Sequence, residues 1–445
     1  MAGISNIGVE AQKVNSVKTE KEAFFCTTKE LSRLGLEQIP TQFQSHKHLI
    51  YSSPATLAFN SPGAEGFGVK RAGLAVPDSI MLIVAPGCCG RNTSLISSMK
   101  EYNDRFYYLM MDETDIVTGR HLKKIPKAVE EICSVCPKKP SVVMICITCV
   151  DALLGTDMER VCKKAEEQVE IPVRPCYMYA LTREGRKPPM VHVRQSLYSL
   201  LEPGKKKGNV VNLLGFFSPL VDDCEIYDLL HSAGVKTIHE ISRCKDYMEY
   251  QTMSEANFNL VLHHEARFAA EDFHNRLQIP FIELRRLYQI DKIENQYHAL
   301  GNALGVAFYD EKYKKQAEDA LEKFRKKCPD ASFAIGECLN ADPFELALAL
   351  IRYGFSVPEI YGTITVENFT YIRSLAKISP ETKVFSNMEP TMIYYDPAKS
   401  GVNLAIGKDA CYYHPDCPYV MWNGEEQPYG YAGVRRLFEQ LLEVV

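Results

Sequence analysis

Short apolar runs alternate with amphipathic stretches along most of this chain, and this alternation constrains the fold more than any other feature of the sequence. Four runs have the length and apolar content of strands buried on both faces: residues 79–85, 141–147, 209–214 and 259–262. Helix-like segments accompany them at residues 124–132, 224–233, 266–277 and 293–327. Buried strands covered by helices are typical of parallel sheets. The pattern predicts an α/β protein of three doubly wound, Rossmann-like domains with parallel sheets.

The length and two sequence breaks indicate where these domains begin. A chain of 445 residues is too long for one core, since cores tend to split beyond roughly 250–300 residues. Residues 202–208 (EPGKKKG) and 328–330 (CPD) place Pro or Gly directly before a new strand, as domain joints do. We therefore predict four parts: an N-terminal arm (1–50), a cluster-bearing α/β domain (51–205), a second α/β domain (206–328), and a third that ends in a C-terminal helix (329–445).

Composition excludes several kinds of partner. A formal net charge of −5 argues against binding to a nucleic acid. No apolar run reaches the roughly 18 residues that span a bilayer, and the polar N-terminus has no apolar segment of a signal peptide. The sequence also lacks a P-loop and a Gly-x-Gly-x-x-Gly turn after a strand, so another chain must bind any ATP involved. We predict a cytoplasmic protein that binds neither membrane nor nucleic acid.

Cysteines follow two of the predicted strands. The chain has 15 cysteines, too many for the occasional buried thiol alone, and disulfides are rare in a reducing compartment. The strand that ends at Ala85 runs into Cys88 and Cys89, and the strand that ends at Ile147 runs into Cys149. If these strands are neighbours in a parallel sheet, the thiols lie at one edge. Thiolates gathered there are suitable ligands for iron or zinc.

Three other groups of polar residues have simpler interpretations. The Cys-x-x-Cys pairs at 133–136 and 146–149 allow a zinc ribbon, but Cys146 lies within an apolar strand, where a buried thiol is the simpler account. Residues 112–115 (DETD) could relay protons or bind a cation, yet acidic residues at a helix start more often cap it. Residues 411–417 (CYYHPDC) suggest no third metal ligand and are interpreted as a surface turn.

Three ordered motifs resemble those of the nitrogenase component 1 family. Residues 86–90 (PGCCG) look like its Gly-Pro-x-Gly-Cys-Gly turn, residues 113–119 (ETDIVTG) are similar to its Glu-x-Asp-Ile-Val-Phe-Gly segment, and residues 148–157 (TCVDALLGTD) resemble its Cys-x-x-x-x-Ile-Gly-Asp-Asp segment. The likeness continues through residues 259–264 (NLVLHH) and 403–407 (NLAIG). It covers roughly residues 50–435, and the ordered set is far more specific than any one motif.

The resemblance implies an iron–sulfur cluster at the interface of two related subunits. Carried over by position, Cys89 matches the turn cysteine, with Cys88 as its neighbouring alternative, and Cys149 matches the second-strand cysteine. The family's first cysteine falls near residues 60–61 (NS), where this chain has none. Two thiolates from each subunit suit a 4Fe–4S cluster. The implied partner is a second copy or a homologous component 1 subunit, in a dimer or heterotetramer.

The resemblance also marks a second site. The position of the family's cofactor-binding cysteine corresponds to His263, or to His264 if the register slips by one residue. The family's C-terminal histidine ligand falls on Met421 or Trp422, neither of which is a normal iron ligand. A second metal cofactor therefore remains open, as does an organic substrate such as a tetrapyrrole. Either histidine could bind a metal, act as a catalytic proton donor, or be structural.

Two functions follow from the resemblance. In the first, the chain is an enzyme: a subunit of a nitrogenase-like oxidoreductase that receives electrons through the interface cluster from an ATP-dependent, iron-protein-type reductase and reduces a bound substrate. In the second, the chain is a scaffold for assembly of a nitrogenase-type metal cofactor and turns over no substrate. A binding protein without a cluster is disfavoured by the strand-end cysteines. The enzyme is our main prediction and the scaffold its alternative.

Overall fold

The computed structural model describes residues 22–44, 53–59, 64–87, 102–148, 154–177 and 187–445. The strands within these ranges are β1 Phe25–Thr27, β2 Ile80–Ala85, β3 Phe106–Met110, β4 Val143–Ile147, β5 Val173–Tyr177, β6 Val210–Leu214, β7 Thr237–His239, β8 Phe258–Val261, β9 Phe281–Glu283, β10 Ser332–Ile335, β11 Ser356–Tyr361, β12 Lys383–Phe385, β13 Leu404–Ile406 and β14 Tyr419–Val420.

The helices within the same ranges cover both faces of the sheets. They are α1 Thr28–Leu34, α2 Pro54–Phe59, α3 Ala64–Ala72, α4 Glu113–Thr118, α5 His121–Val135, α6 Met158–Val169, α7 Pro189–Tyr198, α8 Glu225–Ser232, α9 Tyr247–Gln251, α10 Arg267–Leu277, α11 Ile290–Leu304, α12 Glu311–Lys327, α13 Pro343–Arg352, α14 Phe369–Ile378, α15 Lys408–Tyr413 and α16 Gly430–Val444. None of these described helices is long and apolar enough to cross a bilayer.

Three sheets organise the described residues. Their strand orders are β3-β2-β4-β5, β7-β6-β8-β9 and β1-β12-β11-β10-β13-β14. Every strand pair is parallel except β1 with β12. The predicted class, α/β with parallel sheets, is therefore confirmed. β2 and β6 are buried along their whole length, which explains why β2 is continuously apolar and why the one polar residue of β6, Asn212, hydrogen-bonds to Asn259 at 2.7 Å.

One predicted helix is wrong. The continuous helix expected over residues 293–327 is two helices, α11 and α12, because the chain turns at Gly305. This glycine has φ +71°, a left-handed conformation that glycine adopts without a Cβ clash. The second helix then packs Phe324 against Phe333, with ring centroids 6.1 Å apart, and against Phe438 at 5.6 Å.

The described part of the predicted N-terminal arm joins the third sheet. Strand β1 pairs antiparallel with β12, with Phe25 opposite Phe385. The following helix begins with a capping box, in which Thr27 and Glu30 exchange side-chain and backbone hydrogen bonds. The three domain boundaries, at residues 50, 205 and 328, stay a prediction.

The acidic residues 112–115 cap a helix, as expected. The Asp112 carboxylate accepts a hydrogen bond from the backbone N–H of Asp115 at 2.7 Å. The Asp115 carboxylate accepts one from the backbone N–H of Asp112 at 3.2 Å. The buried Asp115 carboxylate also binds Lys124 at 2.6 Å and Arg120 at 2.7 Å. These hydrogen bonds hold the pKa of Asp115 below its usual range. The carboxylates are engaged in structure, which leaves the relay hypothesis without support.

Candidate functional site

The two cysteine-bearing loops leave the same edge of the first sheet. β2 and β4 are adjacent and parallel, with Val84 opposite Ile147. Tyr108 of β3 donates a hydrogen bond to the carbonyl of Ala85 at 2.9 Å and so holds the end of β2. Cys88, Cys89 and Cys149 lie outside the described residues, and their role as ligands stays a prediction. The prediction required the strands that precede these cysteines to be neighbours in a parallel sheet, and β2 and β4 are neighbours.

Exposed apolar side chains lie at the end of β3 and on the two helices that follow it. Met110 is 64% exposed, Val117 84% and Leu122 37%; we call these three residues the edge patch. Met110 Sδ lies 3.8 Å from the point where a Cβ on Gly87 would stand, so this member of the patch adjoins the strand end that leads to Cys88. An apolar group beside a functional loop suits contact with another protein surface.

The described cysteines do not assemble a zinc site. Cys136, at the end of α5, lies 3.1 Å from the hydroxyl of Tyr107. Cys146 is fully buried in β4 and faces Cys176 of β5. Within the described ranges, no group of three or more His, Cys, Asp or Glu side chains could hold a metal ion.

His263 follows the end of β8, at the carboxyl edge of the second sheet. Its ring nitrogen Nδ1 accepts a long hydrogen bond from the backbone N–H of Glu265 at 3.4 Å, and its side chain is 33% exposed. The ring meets Phe216 at 5.8 Å and His264 at 4.5 Å between centroids. His264 itself is exposed.

Gly215 brings the ends of β6 and β8 together. A Cβ on this residue would stand 2.8 Å from the backbone nitrogen of His263, and its φ is +143°. Only glycine combines this backbone conformation with so close an approach. The Gly215 carbonyl in turn accepts hydrogen bonds from Arg194 Nε at 3.1 Å and Nη2 at 2.6 Å.

Two arginines face His263 from other parts of the chain. Arg194, from α7, is buried and forms an ion pair with Glu265 at 2.7 Å. Arg286, just after β9, lies 4.3 Å from the centroid of Phe216 and donates to Gln427 at 2.6 Å. No carboxylate among the described residues forms an ion pair with Arg286, and its Nε is buried with no hydrogen-bond partner in the same part of the chain. The site therefore carries an uncompensated positive charge.

Burial first, and the charge of the site second, favour the neutral form of the His263 imidazole. Desolvation, followed by the cations Arg194 and Arg286 and the ring of His264, lowers the pKa of His263 well below its ordinary value. A neutral imidazole is the form that binds a metal ion. A neutral His263 is therefore available as a metal ligand, although the Glu265 carboxylate 3.6 Å from Nδ1 opposes the shift; its role stays a prediction.

Trp422 is a core residue. It is buried, has φ +44°, and its indole N–H donates to the hydroxyl of Tyr288 at 2.6 Å. The Tyr288 hydroxyl in turn donates a hydrogen bond to the carbonyl of Asn340 at 2.8 Å. Met421 is 40% exposed. Neither side chain replaces the histidine ligand that the family resemblance places at this position.

The sequence did not single out Arg194, Phe216, Arg286 or Gln427. The rule that ligands bind at the carboxyl ends of strands, applied to β6 and β9, would have pointed to Phe216 and Arg286. Arg194 lies within a helix and Gln427 in a loop far along the chain, and neither has a local signal.

The surface turn predicted for residues 411–417 holds for Pro415 and Asp416, which form an exposed turn, and is wrong for residues 411–413, which are helical. Cys411 and Tyr413 belong to α15 and are buried, as is His414. His414 Nε2 lies 3.2 Å from the Glu359 carboxylate and 2.9 Å from the Tyr395 hydroxyl. The local turn signals were outweighed by tertiary burial against the third sheet.

The fold and these strand-edge sites define an α/β protein of the nitrogenase component 1 kind. The family described as nitrogenase component 1 type oxidoreductase matches residues 65–445, and the chain belongs to that family. The predicted family is thereby confirmed. Two solved structures share the fold: nitrogenase Cp1 at pH 6.5, with a TM-score of 0.69, 18% identity and coverage of 92% of this chain and 96% of that chain, and nitrogenase Cp1 at pH 5, with a TM-score of 0.63, 16% identity and coverage of 94% and 93%.

Three similar proteins carry the name nitrogenase iron-molybdenum cofactor biosynthesis protein NifE. The Sinorhizobium fredii protein is 25% identical over 88% of this chain and 82% of its own length. The Nostoc sp. protein is 25% identical over 61% and 58%, and the Clostridium pasteurianum protein is 24% identical over 56% and 55%. For the latter two, the match spans little more than half of the relative.

These relatives contradict the prediction that the chain is an enzyme. Proteins named for cofactor biosynthesis, and none named for substrate reduction among these three, are similar to most or half of the chain. The main prediction of a substrate-reducing oxidoreductase component is wrong, whereas the roles assigned to His263 and His264 stay a prediction. Family membership still supports metal–sulfur chemistry and assembly with homologous subunits.

Proposed function

We propose that this chain is one subunit of a scaffold on which a nitrogenase-type metal cofactor is built and then handed on, with no substrate turnover of its own. The observation that carries the proposal is the second-sheet edge: one neutral imidazole, His263, beside an uncompensated cation, Arg286, and no second ligand at Trp422. The names of the similar proteins support the same reading.

This arrangement suits a cargo that must leave. Metal–sulfur clusters are commonly anionic, so Arg286 would attract one by charge while His263 binds it through a single nitrogen. A second covalent ligand would hold the cargo more tightly and slow its transfer. The buried Arg286 Nε, which lacks a partner among the described residues, provides a hydrogen-bond donor for a sulfur or oxygen atom of the cargo.

A second cluster belongs to the proposal. Cys89 and Cys149, with Cys88 as the neighbouring alternative, would supply two thiolates to a 4Fe–4S cluster shared with a related subunit, either a second copy or a homologous component 1 chain. The exposed edge patch supports a subunit contact at this edge. A 4Fe–4S cluster supplies one-electron transfer, and the electron source would be a separate ATP-dependent iron-protein-type reductase.

The cargo site is tested by metal analysis of protein purified anaerobically from cells that assemble the cofactor. His263→Ala should lower the bound cargo metal and leave the thermal stability largely intact. His264→Ala is the matched control, since His264 is exposed on the solvent side of the same turn. Adding a component 1 protein that lacks its cofactor should remove metal from the wild type. Retention of the metal by His263→Ala, or no transfer, would overturn the scaffold proposal.

The shared cluster is tested by a serine series read by iron content and electron paramagnetic resonance. Cys89→Ser and Cys149→Ser should lose the cluster, because a serine oxygen replaces a thiolate ligand poorly, and Cys88→Ser decides the register. Cys162→Ser and Cys328→Ser are controls on helices away from the edge; Cys162 is buried and Cys328 partly exposed, so Cys328 is the milder substitution. Equal iron loss in all variants, or an iron-loaded monomer in analytical ultracentrifugation, contradicts the shared cluster.

A further inference from the structure

A cavity of about 480 Å³ lies where helix α3 and the turn before β3 face the carboxyl edge of the second sheet. Its walls include Arg71 and Arg105 from the first part of the chain, Phe217, Ser242 and Lys245 from the second, and Glu425 from the loop near the C-terminus. This volume falls in the range of sites that hold small organic molecules, roughly 300–1,000 Å³.

The carboxylates of the cavity are already neutralised. Glu425 binds the Arg71 guanidinium through two hydrogen bonds, each of 2.9 Å. Asp78 forms an ion pair with Lys138 at 2.7 Å. In contrast, Arg105 and Lys245 have no carboxylate within ion-pair distance in the part of the chain that the structure describes. The cavity therefore has a surplus of positive charge.

Arg105 is held in place before any ligand arrives. Its Nε donates to the carbonyl of Ser79 at 2.8 Å, and its Nη2 donates to the carbonyls of Leu74 at 2.7 Å and Val76 at 3.1 Å. Its remaining nitrogen, Nη1, has no hydrogen-bond acceptor among the described residues. A guanidinium whose position is set by backbone carbonyls loses little freedom on binding an anion, which favours affinity.

The other walls are apolar or aromatic. Leu74 and Ile241 line the cavity together with the rings of Tyr102 and Phe217. The Arg194 guanidinium lies over the ring of Phe217, 4.6 Å from its centroid. The ring of the neighbouring Phe216 contacts His263. Phe216 and Phe217 thus stand between two separate sites, and the cavity does not share its lining with His263.

We propose that this cavity binds a small organic carboxylate, with the carboxylate group on Arg105 and Lys245 and the apolar body against Tyr102 and Phe217. A free inorganic anion would fill only the charged end. The proposal does not depend on the scaffold function, because none of its residues belongs to the cysteine edge or to the His263 site.

Isothermal titration of the full-length protein with benzoate tests this proposal, and benzyl alcohol, which has the same ring without the charge, is the matched ligand. Benzoate should bind saturably with a dissociation constant of about 1 mM or lower, and benzyl alcohol should bind at least about tenfold more weakly, a difference of about 1.4 kcal/mol.

Lys245→Met is the main variant, because Lys245 is exposed and its side chain supports no other group. It should weaken benzoate binding about tenfold, whereas Lys236→Met, at an exposed lysine just before β7 that does not line the cavity, should leave it unchanged. No saturable benzoate binding at millimolar concentration, equal binding of benzyl alcohol, or the same affinity in both lysine variants would each overturn the proposal.

Discussion

The carboxyl edges of the second and third sheets have the same position in the fold but opposite electrostatics. At the third sheet, Asp409 follows β13 and accepts hydrogen bonds from the backbone N–H groups of Glu337 at 2.8 Å and Cys338 at 3.0 Å, and from the Asn387 amide at 2.7 Å. At the second sheet, the partners of Arg286 within the described ranges are Gln427 and the ring of Phe216. At the third sheet, the polar groups of the edge hydrogen-bond to one another. At the second sheet, the positive charge of Arg286 is available to a ligand.

This difference distinguishes a structural edge from a binding edge. Strand-end N–H groups of an α/β sheet often bind an anionic ligand, but at the third sheet a side chain of the protein occupies that place. Gly336 makes this possible, because a Cβ there would stand 2.1 Å from Asp409 Oδ1. Gly215 has the same spatial role at the second sheet, where it admits His263 instead of a carboxylate. Position in the fold alone therefore does not identify a site.

The largest expected effect is on the free energy of unfolding and comes from Asp409, at the carboxyl edge of the third sheet. Asp409→Ala leaves two backbone N–H groups and one amide buried without acceptors, and we expect a loss of about 3–5 kcal/mol in the free energy of unfolding. Asp396→Ala, which removes an exposed carboxylate that caps a single short turn, should cost about 1 kcal/mol or less. Chemical denaturation measures both. If the two variants were equally stable, the third-sheet edge would not be structural.

Gly215→Ala, at the carboxyl edge of the second sheet, should lower the free energy of unfolding by somewhat less than Asp409→Ala. The new Cβ meets the backbone of His263, and alanine is strained at φ +143°, so we expect a loss of about 2 kcal/mol. Gly208→Ala is the control, because no atom lies within 4 Å of its Cβ position. Thermal denaturation gives the comparison, and an unchanged midpoint for Gly215→Ala would show that the two strand ends can separate freely.

Arg286→Met should separate binding from stability. Replacing a partly buried cation that lacks a carboxylate partner with an apolar side chain should change the free energy of unfolding by less than about 1 kcal/mol in either direction, yet lower the cargo metal retained by the protein. Arg285→Met changes the neighbouring exposed arginine and should keep the metal. A large stability loss in Arg286→Met with full metal content would reverse the contrast between the two edges.

The last effect concerns pH and builds up only as the pH falls. The folded-state pKa of His263 is lowered from an unfolded-state value of about 6.5, so the unfolded chain takes up the proton first as the pH falls. Wild-type stability should be unaffected by this group above about pH 7.5 and should decrease below about pH 6.5, by at most about 1.4 kcal/mol at pH 5.5. His263→Gln does not titrate and should lack this part of the decrease. Parallel stability profiles for the two proteins from pH 8 to pH 5.5 would contradict a neutral His263.

Local sequence determined most of the framework. Mostly apolar runs placed strands β2, β4, β6 and β8 within one or two residues of their observed ends, since a strand buried on both faces carries mainly apolar side chains on both. The same runs placed the cysteine loops and His263 at strand ends. Where local signals were weak, the prediction was wrong: one glycine, Gly305, divided the long helix, and the buried residues Cys411, Tyr413 and His414 were assigned to a surface turn.

Tertiary structure alone decided which strand ends can act as sites. Arg194, His263, Arg286 and Gln427 are far apart in the sequence, and only the packing of helix α7, the second sheet and the C-terminal loop brings them together. Likewise, nothing near Asp409 in the sequence shows that its carboxylate fills the turn after β10. Periodicity records which face of an element is buried, because burial is a property of each residue. Charge compensation depends on which distant groups meet, and that is settled only when the chain has folded.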